Sequence, residues 1–332
     1  MKITLPKLIG NTRNYLGLLR KRPIEEVYDK LILNGQPGPQ LPNFGDDAAV
    51  IPWKDGYLLL AADGMMTRLL VNEPYAAGKA SVMVTVNDIY SMGGRPLAMV
   101  NVLASGDKNH RSKVIDGIRK GCEKLKVPMV GGHLHPDSPA EAPSLSVAIL
   151  GHADKLLRSH LAEAGDDLVF AADLKGQVGC YSVVSWDANS GKTPEELIHR
   201  LETLPLIAER ELAHACKDVS NAGLLGTISI MMENSGKGAI VDLVSIPCPP
   251  ELDLSDWLIS FQSFGFILSV SPAFSQAVID LFRERQIDAA IIGGVTDERK
   301  VTLRSGAESH TLFDFNQDKI TGITYRPQNP HQ

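Results

Sequence analysis

The chain reads as two α/β domains. Its 332 residues exceed what one hydrophobic core usually serves. Apolar runs of strand length alternate with longer stretches of helical spacing from one end to the other. No short repeat or low-complexity tract breaks that alternation. At 44% hydrophobic and 22% charged, the composition is that of a folded, soluble protein.

Near the N-terminus, IEEVYDKLIL (24–33) has helical spacing, and LILNGQPGPQLPNFG (31–45) then becomes a Gly/Pro loop. AAVI (48–51) and YLLLAA (57–62) read as short strands separated by the turn-like WKDG. From Glu73 to Met92, apolar residues recur every three or four positions, which predicts a helix. The GGRP that follows stops it, because two glycines and a proline continue a helix poorly. PLAMVNVLA (96–104) predicts a strand, HRSKVIDGIRKGCEKLK (110–126) an amphipathic helix, VPMVGG (127–132) a short strand and SLSVAILGH (144–152) another.

DKLLRSHLAEAGDD (154–167) is the expected seam, dividing a domain at 1–155 from one at 156–332. Beyond it, DLVFAAD (167–173) predicts a strand, residues 193–216 a helix, and NAGLLGTISIMMENSG (221–236) a second helix. AIVDLV, FGFILSV and AAIIGGV are strands with helical pieces between them, and the tail after Tyr325 is loose.

Charge and cysteine usage narrow the function. The net charge is −6 and no stretch concentrates Lys and Arg, so a nucleic-acid partner is not expected. Arg20, Lys21 and Arg22 read as a solvated helix end. The N-terminal segment has no apolar core for a signal peptide or membrane helix. Cys122, Cys180, Cys216 and Cys248 form no CxxC pair. That argues against a disulfide framework or structural zinc, and for a cytoplasmic protein.

Aspartates beside apolar runs and glycines are the unusual feature. Asp46 and Asp47 precede a strand, Asp63 ends one, Asn87 and Asp88 lie inside an apolar helix, and Asp218 precedes another helix. Aspartates routinely flank strands and cap helices. Asp88 fits that pattern least, since mid-helix Asp has poor propensity and a buried unpaired carboxylate is costly. Separated acids converging in a fold suit Mg²⁺ carrying a polyphosphate. Ser220 or Asn221 is placed to cap the helix from 221, whose free N–H groups would seat a phosphate. Two other motifs fail. WDANSGKT (186–193) has Trp186 where a P-loop needs its first glycine, and no GxGxxG follows the first strand. GGHLHPDSP (131–139) leaves three readings open: a zinc trio of His133, His135 and Asp137, part of a phosphate site, or a polar loop.

Five blocks in order, GDDAAV (45–50), AADG (61–64), VNDIYSMGGRP (86–96), GGH-x-x-x-D (131–137) and KDVSNAGLLGTI (217–228), resemble the signature of the aminoimidazole ribonucleotide synthetase (PurM-like) superfamily. At the GGH block the chain is most similar to AIR synthase-related and selenophosphate synthetase-related proteins, with thiamine-monophosphate kinase more distant. The resemblance implies an α/β (α+β) fold of two domains. The N-terminal domain would bind ATP and pair with a second copy into a dimeric β-barrel. It further implies that Asp46 or Asp47, with Asp63, Asp88 and Asp218, binds Mg²⁺ and the ATP phosphates. Gly45, Asn87, Gly131, Gly132 and Asn221 would border the nucleotide.

Two departures limit the resemblance. The 31–45 segment lacks the Cys and Lys of selenophosphate synthetase, and His133 and Asn221 replace two acids of the thiamine kinase pattern. The expected function is an ATP- and Mg²⁺-dependent phosphotransferase or ATP-driven ligase-like enzyme acting on an unidentified small-molecule acceptor. His133 would donate to a phosphoryl oxygen or relay a proton, and Asp137 would contact the acceptor. Arg95 is a candidate phosphate clamp or a turn residue. The rival reading is a nucleotide-binding regulatory or scaffold protein without catalysis. On either reading a soluble homodimer with no membrane contact is expected.

Overall fold

The computed structural model describes residues 4–31, 45–139 and 141–325. Residues 32–44 of the loop expected over 31–45, and the tail after Tyr325, lie outside the described residues.

Three helices open the chain: α1 (Leu5–Arg13), α2 (Leu16–Leu19) and α3 (Ile24–Leu31). Then follow β1 (Ala49–Trp53), β2 (Gly56–Gly64), α4 (Thr67–Asn72), α5 (Pro74–Ser91), β3 (Arg95–Ala104), α6 (Lys108–Leu125), β4 (Met129–His135) and β5 (Ser144–Ala153). The five strands form one sheet in the order β1-β2-β5-β3-β4, antiparallel except for the β3–β4 pair. Each expected element of this half is present within a few residues of its predicted bounds. The strand expected over 127–132 runs on as β4 to His135, so GGHLH lies inside it.

Helix α5 lies on one face of this sheet and packs along α6. It is buried nearly all round, from Ala77 through Val82 and Val86 to Tyr90, as expected of a helix that is apolar on every side. Its buried hydroxyls are satisfied locally, Ser81 donating to the Gly78 carbonyl at 2.8 Å and Thr85 to that of Ser81 at 3.1 Å. The two helices approach so closely that a Cβ at Gly78 would stand 2.1 Å from the Val114 carbonyl oxygen. Opposite α5, the outer face of the sheet is open and apolar, carrying Ile51, Trp53, Leu60, Val100 and Val102 exposed.

The second half continues with β6 (Asp167–Ala172), β7 (Gln177–Val178), β8 (Ser185–Asp187), α7 (Pro194–Leu201), α8 (Thr203–Glu209), β9 (Ala215–Asp218) and α9 (Gly223–Ser235). It ends with β10 (Gly238–Asp242), α10 (Leu254–Ile259), β11 (Phe261–Gln262), β12 (Gly265–Val270), α11 (Ser275–Arg283), β13 (Asp288–Thr296), β14 (Lys300–Ser305) and β15 (Glu308–Asp314). A seven-stranded sheet runs β15-β14-β10-β13-β6-β12-β9, and β11-β8-β7 form a small third sheet. The helix expected over 193–216 is instead two helices and a strand. Thr193 caps α7 through a reciprocal bond pair with Glu196, and ACKD leaves the helix to pair with β12.

The N-terminal helices pack against this second half, not the first sheet. Arg13 donates to the Leu312 carbonyl at 2.9 Å and to Asp318 at 2.6 Å. A Cβ at Gly17 would meet the Asn221 carbonyl oxygen at 1.9 Å, so α2 lies directly on the chain entering α9. Glycine is required there.

Candidate functional site

Three elements deliver the acids. Asp47 sits just before β1, Asp88 projects from α5, and Asp218 closes β9. One oxygen from each of the three falls within 4.8 Å of the others. Asp218 is buried and the other two are half-buried. Ser91, one turn after Asp88, donates to Asp47 at 2.7 Å and to the Asp88 carbonyl at 2.9 Å. The Asp218 backbone N–H donates to Asp47 at 3.3 Å. Lys217 forms an ion pair with Asp47.

The electrostatics follow from this crowding. Burial, then the charges of Asp218, Asp63 and Asp47, pushes the Asp88 carboxyl well above the usual range, with Lys217 opposing. Burial and the Asp47 charge push Asp218 up to about 8. Asp63, at the end of β2, reaches solvent. Loss of surrounding water still pushes its carboxyl upward, with Lys21 and Lys217 opposing and Asp47 adding. Burial works against the Lys217 ammonium, but Asp47 and Asp218 outweigh it and hold it firmly protonated. The ammoniums of Lys217 and Lys21 thus face the four carboxylates of Asp47, Asp63, Asp88 and Asp218. The donors are all hard oxygens, and a divalent cation would relieve their mutual repulsion. The residues present therefore fit Mg²⁺.

Asp46 and Asp47 point apart. Asp46 accepts from Arg158 Nε at 2.5 Å, from the Ser159 N–H at 2.8 Å, from Ser159 Oγ at 2.9 Å and from His160 Nδ1 at 3.2 Å. Burial opposes its charge, yet the His160 hydrogen bond and the Arg158 and His160 charges hold its carboxyl below the usual range. Its lone pairs are thus spent on the segment 158–160. The Gly45 carbonyl accepts from Ser159 Oγ at 2.9 Å and Asn234 Nδ2 at 3.0 Å, which anchors this turn.

Other expected site residues are placed elsewhere. Cross-strand pairing puts Asp63, Val147, Asn101 and Gly132 in one row, on the face covered by α5. His133 pairs with Val102 and His135 with Ala104, so both rings lie on the opposite, exposed face. Their ring centroids are 4.5 Å apart. Asp137 is exposed in the turn after β4, and Gly131 is exposed within it. Within one chain, then, the GGHLHPDSP stretch does not join the acids. Arg95, at the start of β3, is held in ion pairs by Glu202 at 2.8 Å and Glu209 at 2.6 Å. Lys192 of the P-loop-like stretch is tied to Asp173 at 3.0 Å.

Neither Ser220 nor Asn221 caps α9 by a side-chain bond. Asn221 instead lines a cavity of about 240 Å³ between α5 and the small sheet, with Met65, Met83, Trp186 and Phe261. Asn87 is buried and donates to the Ser263 carbonyl at 3.3 Å, while its Oδ1 has no partner. Sequence reasoning missed Lys217, Ser91 and Lys21. The first two had a legible signal, one immediately before Asp218 and the other three residues after Asp88 on a helix.

Comparisons with known proteins agree with this fold. Models of the AIR synthase related protein match the chain twice, the N-terminal domain at residues 45–153 and the C-terminal domain at 163–306. The chain is 39% identical over 324 residues to an uncharacterised Synechocystis protein, covering 96% of this chain and 99% of that one. It is 36% identical over 323 residues to an uncharacterised Methanocaldococcus jannaschii protein, covering 96% and 100%. Among solved structures, PurL of Thermotoga maritima complexed with ATP superposes with a TM-score of 0.73 at 19% identity. That match covers 96% of this chain and 57% of the PurL chain. AaThiL complexed with AMPPCP and TMP superposes with a TM-score of 0.64 at 18% identity, covering 87% and 95%. These two likenesses establish the shared fold.

Proposed function

The chain belongs to the AIR synthase-related family, and from that premise we propose that it is an ATP- and Mg²⁺-dependent enzyme acting on a small-molecule acceptor. The observation that carries this reading is the convergence of Asp47, Asp88 and Asp218, with Asp63 beside them and Lys217 and Lys21 in partial compensation. Solved structures of the same fold hold ATP or AMPPCP.

Asp47, Asp88 and Asp218 would hold the cation, which when bound spreads the charge of the phosphates. Ser91 and the Asp218 N–H orient Asp47, and Lys217 limits the acids' repulsion in the cation's absence. For a hydroxyl acceptor in phosphoryl transfer, the acceptor oxygen bonds to the γ-phosphorus. The bond to the β,γ-bridging oxygen breaks, ADP leaves with that electron pair, and the hydroxyl proton passes to solvent.

The working unit we propose is a homodimer. Ile51, Trp53, Leu60, Val100 and Val102 form an apolar face on a sheet whose edge strands among the described residues are β1 and β4. A second copy laid on that face would cover it and close the sheet toward a barrel. His133 and His135 lie on the same face, so they would enter such an interface.

Four free cysteines fit a reducing cytoplasm. Among the described residues no helix is long and apolar enough to cross a membrane. Thermal-shift measurements with ATP and Mg²⁺, followed by ADP-release assays over a metabolite panel, test the reading. Stabilisation that needs both ligands, with ADP release dependent on an acceptor, supports it. Nucleotide binding without any acceptor-dependent turnover favours a regulatory subunit.

A further inference from the structure

The cavity beside the acids has a lining that restricts what it can hold. Met65, Met66, Met83, Trp186 and Phe261 form much of its apolar wall, with Asp187, Asn189 and Asn221 among the polar residues. Its volume of about 240 Å³ is near the small end of ligand sites. Thioethers and aromatic faces adapt to flat, polarisable ligands. Among the described residues Lys79 is the only cationic side chain on this wall, and it is already held by Ser190 at 2.8 Å and Asp187 at 3.4 Å. An anionic ligand would find no uncommitted ammonium here.

The cavity and the acids meet along α5. Lys79, Ala80, Met83 and Val84 line the cavity, and the next turn carries Asn87 and Asp88. Asn87 donates to the carbonyl of Ser263, itself a lining residue, while its buried Oδ1 accepts nothing.

We infer that the acceptor is an uncharged, largely apolar and aromatic small molecule that fills this cavity and presents a hydroxyl or amine at its α5 end, toward the acids. The inference rests on the ATP-dependent reading above and names the substrate class of that site.

The test uses two matched probes, benzyl alcohol and benzyl phosphate, titrated into the full chain by ligand-observed NMR. Benzyl alcohol is expected to bind at least tenfold more tightly than benzyl phosphate. Ala80→Phe, which fills the cavity, is expected to weaken it at least tenfold. Because that variant risks misfolding, a second measurement uses the unaltered chain. Cys180 lines the cavity and is half-buried, so benzyl alcohol should slow its alkylation by iodoacetamide while leaving that of Cys248 unchanged. Equal or tighter binding of benzyl phosphate overturns the inference, as does an unprotected Cys180. A separate Mg²⁺-ATP titration without probe reports on the enzyme reading alone. Tight Mg²⁺-ATP binding with no benzyl alcohol binding sinks only the acceptor class, and absent Mg²⁺-ATP binding sinks the reading beneath it.

Discussion

Replacing Asp218 by asparagine should make the metal-free protein more stable at pH 8 while removing its response to Mg²⁺. Asp218 is buried, and its neighbours raise its pKa to about 8, against about 4 in an unfolded chain. A carboxyl whose folded pKa is raised contributes stability that is complete below its unfolded pKa. That contribution is lost as pH rises through the folded value. The wild-type fold therefore loses stability between about pH 4 and about pH 8, by at most about 5 kcal/mol. The substituted amide carries no charge at any pH and offers N–H donors to the facing carboxylates. Without metal at pH 8, the melting temperature of Asp218→Asn should exceed wild type by on the order of a few degrees, and the gap should close toward pH 4. Added Mg²⁺ should stabilise wild type through linkage and leave the variant unmoved. Differential scanning calorimetry across pH, with EDTA or Mg²⁺, reads both effects. A variant less stable than wild type at pH 8, with an undiminished Mg²⁺ response, would refute the reasoning.

Asp46→Asn should act oppositely, because it takes a buried carboxylate away from Arg158, Ser159 and His160. A loss of about 3–5 kcal/mol in urea unfolding is expected, with Mg²⁺ affinity of the folded protein within threefold of wild type. Leu60→Asp or Val102→Asp, on the open apolar face of the first sheet, should convert a dimer to a folded monomer in light scattering. An unchanged mass would remove the barrel. Mg²⁺ affinity should rise with pH up to about 8, since the ion competes with protons on Asp88 and Asp218; a flat calorimetric pH profile would contradict that. Zinc should be well below stoichiometric in elemental analysis, because His133, His135 and Asp137 are exposed and form no ligand cluster.

Much of the first half was readable from spacing. The α5 pattern is periodic and the glycines at 93 and 94 end it, so Asp88 could be identified as an acid inside an apolar helix before any coordinates. Adjacent aspartates defeated the same reasoning. Asp46 and Asp47 are chemically identical, and only the chain's path decides which meets Arg158 and which meets Asp218. GGHLHPDSP stayed open between a metal trio, a phosphate site and a polar loop, because spacing does not show that β4 takes GGHLH as an edge strand beside β3. Ala215 and Cys216 were absorbed into the preceding helix because Ala and Cys give no strong local signal. Pairing with β12 overrides it. The hairpin of β14 and β15 and the two-residue strands of the small sheet carry too few apolar alternations to stand out. The acceptor cavity depends on those short strands, so the sequence did not disclose it.

Isothermal titration of ATP into the wild-type chain, with Mg²⁺ and then with EDTA, tests the central claim most directly when paired with Asp88→Asn. The account predicts saturable binding that needs Mg²⁺ and falls at least tenfold in the variant. Equal ATP affinity in EDTA, or an Asp88→Asn chain that binds Mg²⁺-ATP like wild type, would contradict the assignment of Asp47, Asp88 and Asp218 to the cation.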